Sequence, residues 1–477
     1  MRTLFATVRQ SFRHLRWYEA SEYSLLMILA VAIPIQWRIA LWCLVLLCAN
    51  TIIKTICRIR ETYAFNRQWR LTLNPNLGKP IRICLWMMIL YYLAYVISCL
   101  YSSQPHEAFS TVASMLPLLL FPLIFLLSDT HYLRHHHLTT LTCLRAATLT
   151  LRFAIMLIRS AFHTADSQLF TCTTGAFASF LVQAASLFSQ ITPFQGVNDT
   201  LALQPIRVVA HLFNNTPFER LGEHQFDTLH HNYLSLYILT AIALLYYELI
   251  RHWRSSRWRK ARWLVVADIA ALSVYILLSD SRSGIVAWAL LAAACLIHLA
   301  VKLKQRRTIG IILVSSALLI GLSYWASPKT YQRITDTAKD LFSGERGDVR
   351  QTLWQSGLET IKDRPIFGYG CDGYWDTLFQ HYRTNDCLDA EIQQFSTHNQ
   401  YLETTLATGI IGLIVMLSMI LLPVILALRR PYQNLPMILF TIVYAACIFF
   451  EATFGRQMGL LFIGFWYCII LHYSNQP

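Results

Sequence analysis

Apolar runs of about 20 residues, separated by short polar and basic stretches, recur along the chain from residue 22 to residue 473. Each major run is long enough to cross a hydrocarbon core of roughly 30 Å as a helix. The runs are continuous rather than alternating, which predicts helices and not the strands of a barrel. They fall at 22–35, 37–57, 81–101, 109–128, 168–190, 229–250, 262–279, 283–302, 308–326, 400–428, 434–451 and 457–473. The expected fold is an all-α integral membrane protein of about twelve transmembrane helices. The same pattern sets its divisions: N-terminal transmembrane helices over 1–193, an outer loop over 194–228, transmembrane helices over 229–326, a large hydrophilic loop over 327–399, and C-terminal transmembrane helices over 400–477. The large loop is expected to form a few short helices over the outer mouth of the bundle, and loops of that length are usually functional.

Orientation follows from positive charge. Arg2, Arg9, Arg13 and Arg16, the stretch Lys54 to Arg82, the block Arg251 to Arg262, the block Lys302 to Arg307, and Arg429 with Arg430 all flank spans. Such loops face the cytoplasm. Parity then puts 191–228, 280–282 and 327–399 on the outer side and leaves room for one span between 131–137 and 191. Two stretches compete for it. Residues 168–190 are uncharged, whereas 139–160 carry Arg145, Arg152 and Arg159 at heptad spacing, near one helix face. The favoured assignment lays 139–160 on the inner surface as an amphipathic helix. The alternative makes it the span, its arginines facing a cavity that holds an anionic headgroup.

Composition changes this picture little. Hydrophobic residues are 55% of the 477 and charged residues only 14%, against about 25% charged in soluble domains. A net charge of +14 could point to nucleic acid, but the charges sit in short blocks beside the spans, so the partner is membrane lipid and not nucleic acid. The basic segment Met1 to Trp17 is followed by no small-residue cleavage site, and no cleaved signal is expected. Of the twelve cysteines, Cys371 and Cys387 stand apart from the apolar spans, and an oxidising outer compartment would let them pair. No CxxC or Cys/His spacing suits zinc, and His135, His136 and His137 beside Arg134 read as interfacial polarity. Neither a metal nor a cofactor is expected.

Three polar clusters share the outer face: Arg220 with His230-His231-Asn232, the turn Asp280-Ser281-Arg282-Ser283-Gly284, and Thr397-His398-Asn399. An arginine in a short turn can simply snorkel to lipid phosphates. Two arginines and a histidine on one surface instead fit a phosphorylated substrate, because the guanidinium fork matches phosphate oxygens. A neutral imidazole can accept a proton near neutral pH. Thr397 and Gln400 have capping-box spacing, which sets His398 in a first helical turn. The positive helix end disfavours imidazolium there, so a neutral, basic His398 is expected. Arg346, Arg350 and Trp354 share a helical stretch, and Pro365-Ile366-Phe367-Gly368-Tyr369-Gly370 is rich in turn residues whose glycines allow unusual backbone angles.

The SRSG turn with Arg282, the Arg/Trp stretch leading to RPIFGYG, and THNQYLETTLATGIIG appear in an order that resembles the O-antigen ligase family. That family shares a C-terminal core with O-antigen polymerases and bacterial protein O-oligosaccharyltransferases, and the resemblance covers roughly residues 200–430. It implies a membrane-embedded GT-C-type glycosyltransferase, inverting and metal-independent, in the bacterial inner membrane with its active site on the periplasmic side. The implied donor is an undecaprenyl pyrophosphate-linked glycan, and the implied acceptor a sugar hydroxyl of lipid A–core. On this resemblance Arg220 and Arg282 hold the pyrophosphate, His398 is the catalytic base, and Asn399 and His231 support the substrates. His231-Asn232 stands where the family commonly has Pro-Asn, so Arg207 is an alternative to Arg220. The rival readings are a polymerase, a protein oligosaccharyltransferase, and a lipid-linked glycan transporter. The last would place charges near mid-membrane, as only Arg145, Arg152 and Arg159 could.

Overall fold

The computed structural model describes residues 15–66, 73–74, 77–165, 231–253, 255–279, 281–301, 349–429 and 434–474. Among these the fold is all-helical, with no strand. The helices are α1 (Trp17–Ala32), α2 (Trp37–Asn66), α3 (Lys79–Ser98), α4 (Pro105–Ser114), α5 (Pro117–Leu127), α6 (His135–Ala165), α7 (His231–His252), α8 (Ala261–Leu278), α9 (Arg282–Val301), α10 (Val349–Asp363), α11 (Trp375–Thr384), α12 (Leu388–Ile392), α13 (Gln400–Leu428), α14 (Leu435–Phe450) and α15 (Gln457–Tyr473). Proline opens α3, α4, α5 and α14, where its missing N–H costs nothing and its fixed φ suits a first turn.

Every expected span that falls among the described residues has a helix at it. Six are long and apolar enough to cross a membrane: Trp37–Arg60, Lys79–Tyr101, Pro105–Leu127, Asn232–His252, Ser283–Val301 and Gln400–Leu428. Helices α14 and α15 are shorter but apolar. The chain is therefore an all-α membrane protein, and a total of twelve spans remains an expectation. The runs 168–190 and 308–326 and the loop 194–228 lie outside the described residues. Two compact units are distinguished, Met1–Ala147 with His231–Pro477, and Thr148–His230. The second is described only through the end of α6.

In the first unit α13 packs against α3 and α14, α15 against α5, and α7 against α8, α9 and α14. One end of the unit is tied by a buried ion pair. Lys54 Nζ lies 2.7 Å from Glu22 Oε2 and 2.9 Å from Ser128 Oγ, joining α1, α2 and the α5–α6 connection. Arg82 donates to the Asn74 carbonyl at the same end, at 2.9 Å.

Arg145 corrects the reading of 139–160 as a surface helix. Its side chain is 1% exposed. The guanidinium donates to the Tyr237 carbonyl on α7 and lies 4.7 Å and 4.4 Å from the ring centroids of Phe462 and Trp466 on α15. Burying a cation inside the bundle is tolerated because aromatic faces and a backbone carbonyl replace part of its hydration.

The loop 349–399 forms α10, α11 and α12, the short helices expected there, and α10 packs on α13. RPIFGYG joins this layer to α13 by a backbone splice. Gly409 breaks α13 with φ +66°. Around the break Tyr369 N donates to the Leu406 carbonyl at 2.9 Å, Gly370 N to Ala407 at 3.0 Å, and Ile410 N to Pro365 at 2.8 Å. The loop supplies the bonds that the interrupted helix loses. A Cβ on Gly409 would overlap the Ile366 carbonyl, and one on Gly368 would come within 2.6 Å of the Leu406 carbonyl.

The Cys371–Cys387 pair is not formed. Both thiols are free. Cys371 is buried, its N–H donating to Ser98 Oγ at 3.1 Å and its thiol to the Ala108 carbonyl at 3.9 Å. Burial first, and then the Asp372 charge, push that thiol above its ordinary range.

Candidate active site

The N-terminal mouth of α13 differs from the expected capping box. Asn399 is the cap, and its Oδ1 accepts from Tyr401 N at 2.9 Å and Leu402 N at 3.2 Å. Thr397 pairs instead with Glu403: its N–H and its hydroxyl each lie 2.7 Å from Glu403 Oε1. The Tyr374 hydroxyl donates to the other carboxylate oxygen. Burial first, then the Glu403 charge, hold that phenol well above its ordinary value, so it stays a donor. Trp354 on α10 donates from Nε1 to the Thr397 carbonyl at 3.0 Å. The carbonyl and amide sides of Thr397 are thus both fixed.

His398 lies between this anchored threonine and the capping asparagine, one residue before the cap rather than in the first turn. Its φ is +49°, a left-handed backbone that disfavours most L-residues and is kept only where the surroundings impose it. The imidazole is about 30% exposed and packs edge-on against Phe395, with ring centroids 5.8 Å apart. Its Nδ1 faces Glu451 Oε1 at 3.5 Å, without the alignment of a hydrogen bond.

Glu451 is the C-cap of α14 and is buried. A carboxylate at the negative end of a helix is an unfavourable placement unless partners hold it. Its Oε2 accepts from Asn232 Nδ2 on α7. Asn232 Oδ1 in turn accepts from Ser281 Oγ at 3.1 Å and Ser283 Oγ at 2.8 Å. Ser281 also accepts from Gly284 N at 3.0 Å, the bond of a serine N-cap. Gly284 is required because a Cβ there would lie 2.8 Å from the Ser235 Cβ of α7. The SRSG turn is thus a capped helix start pressed against α7.

These bonds join the three sequence clusters at one place. The N-terminal ends of α7, α9 and α13 converge on Glu451 and His398, and three positive helix ends make an environment suited to an anion. His231 opens α7 and Arg282 opens α9, so both backbones lie at this junction. Arg220 and its alternative Arg207 lie outside the described residues. Asn399 is brought to the site, but its carbonyl oxygen is committed to capping.

Residues 267–417 match the O-antigen ligase family. An uncharacterised protein of Haemophilus influenzae is 34% identical over 76 residues, covering 16% of this chain and 19% of that protein. The exopolysaccharide production protein ExoQ of Rhizobium meliloti is 27% identical over 164 residues, covering 33% of this chain and 37% of ExoQ. The chain therefore spans well under half the length of these curated relatives. The O-antigen ligase segment contains Arg282, His398, Asn399 and the Gly409 splice. It begins after Asn232 and ends before Glu451, the two residues that complete the hydrogen-bonded network.

Glu451 is the residue that sequence reasoning missed. Its signal was present: it is the only acidic residue after Glu403 in the whole chain, and it stands between two apolar runs.

Proposed function

We propose that this protein is an O-antigen ligase, transferring a glycan from undecaprenyl pyrophosphate to a sugar hydroxyl of lipid A–core at the periplasmic face of the inner membrane. The O-antigen ligase match supports glycan transfer at a membrane. The observation that carries the finer reading is the position of His398. It is a partly exposed imidazole held in a left-handed backbone, with one nitrogen against a carboxylate, where three helix ends converge. In this reading the other ring nitrogen, Nε2, takes the proton of the acceptor hydroxyl. The oxygen attacks the anomeric carbon from the face opposite the leaving group, the bond from that carbon to the phosphate oxygen breaks, and undecaprenyl pyrophosphate departs with the electron pair. Arg282, with Arg220, neutralises the charge that develops on the pyrophosphate, and the converging helix ends add to it. His231 and Asn399 line the approach. No resident cofactor enters the mechanism.

A second reading has one specific support, the ExoQ relative, whose name assigns it to exopolysaccharide production. In that reading the acceptor is another lipid-linked glycan and the protein is a polymerase. Purified protein in liposomes is to be given the undecaprenyl pyrophosphate glycan with lipid A–core, with a second lipid-linked glycan, or with a protein acceptor. Product on lipid A–core alone is expected. Product only on the second glycan replaces the ligase with the polymerase, and product only on protein replaces it with an oligosaccharyltransferase. Movement of the donor across the bilayer with no covalent product replaces it with a transporter. In the productive assay His398→Ala is expected to lower transfer by about 10²-fold or more, and near-native transfer by this variant removes His398 from the mechanism.

A further inference from the structure

We propose that Glu451 is the positioning residue of His398, and that Asn232 with Ser281 and Ser283 fixes Glu451 in turn. The proposal rests on reading His398 as the base and assigns it a partner outside the segment that matches the O-antigen ligase family.

The network specifies its own orientation. Asn232 Oδ1 faces two hydroxyls, Ser281 at 3.1 Å and Ser283 at 2.8 Å. The hydroxyls can donate or accept, but an ionised carboxylate only accepts. The end of the Asn232 amide that faces Glu451 Oε2 must therefore be its NH2, which leaves Oδ1 toward the two hydroxyls. Glu451 Oε1 lies 3.5 Å from His398 Nδ1. A carboxylate accepts and does not donate, so its charge beside Nδ1 favours the tautomer with hydrogen on that nitrogen. This leaves Nε2 as the free base. When Nε2 takes the acceptor's proton, the ring becomes a cation facing a fixed anion, and no reorganisation is needed at that moment.

The placement is costly in other respects, which argues against chance. Glu451 is buried at the carbonyl end of α14, where the helix dipole opposes a negative charge. One hydrogen-bond partner, Asn232, comes from α7 and meets the cap of α9. Four segments separated by as much as 219 residues in sequence therefore contribute to the direction of one imidazole.

The test uses the full-length protein in liposomes with the undecaprenyl pyrophosphate glycan and the acceptor that gives product. Glu451→Gln retains the shape and an oxygen for Asn232 but removes the anion. Its kcat is expected to fall about 10- to 1000-fold with little change in KM for the donor. Glu451→Asp is expected to recover part of that loss. Glu451→Gln added to His398→Ala is expected to lower transfer no further, because the carboxylate acts only through the imidazole. A merely structural Glu451 would reduce both backgrounds alike, and that result overturns the proposal. Near-native kcat for Glu451→Gln beside an inactive His398→Ala also overturns it and leaves the base assignment standing. An active His398→Ala overturns the base assignment itself. Should Glu451→Gln fail to fold, nitrogen NMR of 15N-histidine-labelled native protein at pH 9, with the His398 signals identified by their loss in His398→Ala, gives the answer without it. Hydrogen on Nδ1 is expected, and hydrogen on Nε2 overturns the proposal.

Discussion

Asn399 and His398 are neighbours with opposite kinds of work, and mutation can separate them. Asn399 Oδ1 satisfies two backbone N–H groups at the start of α13, so Asn399→Ala is expected to cost about 1 kcal/mol of stability. Asn399→Asp keeps an accepting oxygen and is expected to retain that stability. Thermal unfolding of the detergent-solubilised protein checks both. If Asn399→Asp unfolds like native protein yet loses transfer, the asparagine NH2 is needed at the substrate as well as the oxygen at the helix. The sequence made His398 and Asn399 legible as a helix mouth but assigned the cap to Thr397 with Gln400. That spacing rule counts residues from the hydroxyl and cannot see that Glu403, six residues on, competes for the same threonine. Glu451 escaped because its partners come from other helices. Only the folded chain brings Asn232 and His398 to it.

The broken helix α13 shows why two glycine motifs in separate parts of the chain belong together. The turn-rich PIFGYG and the ATGIIG of α13 are both visible as sequence, the first as a stretch whose glycines allow unusual backbone angles and the second at the start of an apolar span. Their mutual need lies in the backbone exchange around Gly409, where Tyr369, Gly370 and Ile410 make bonds that an unbroken helix would make internally. Hydrophobic periodicity carries no information about such an exchange, because the apolar run continues through the break. Gly409→Ala is expected to destabilise the protein by about 3 kcal/mol or more, through the positive φ and the overlap with the Ile366 carbonyl. Gly368→Ala opposes the same splice from the other side, so the double variant is expected to cost less than the sum of the two. Faster protease cleavage within residues 364–374, together with the thermal midpoint, measures this. Native protease resistance for Gly409→Ala would show that the loop does not depend on the break.

The direction in which the site faces follows from the order of helices in the folded unit. Helix α7 starts beside Glu451, with Asn232 in its first turn, and runs to Arg251 and His252. The chain returns through α8, and Ser281 meets Asn232 again. The basic segment between α7 and α8 must therefore lie at the far end from His398. Helix α13 repeats the pattern, with its mouth at His398 and Arg429 at its other terminus. Helix α3 starts at Lys79 and ends at Ser98, where the Cys371 backbone is bound. Three independent helices thus put their basic ends opposite the site, and basic ends remain in the cytoplasm. The ligase reading proposed above therefore predicts a site that opens on the periplasmic side. Gly455, exposed and with nothing within 4 Å of an added Cβ, is suited to a reporter thiol on the site side, and exposed Arg259 to one on the other. In intact spheroplasts a membrane-impermeant maleimide is expected to modify Gly455→Cys and to spare Arg259→Cys until the membrane is opened, as read by peptide mass spectrometry. Modification of Arg259→Cys alone would reverse the orientation and with it the access of both substrates.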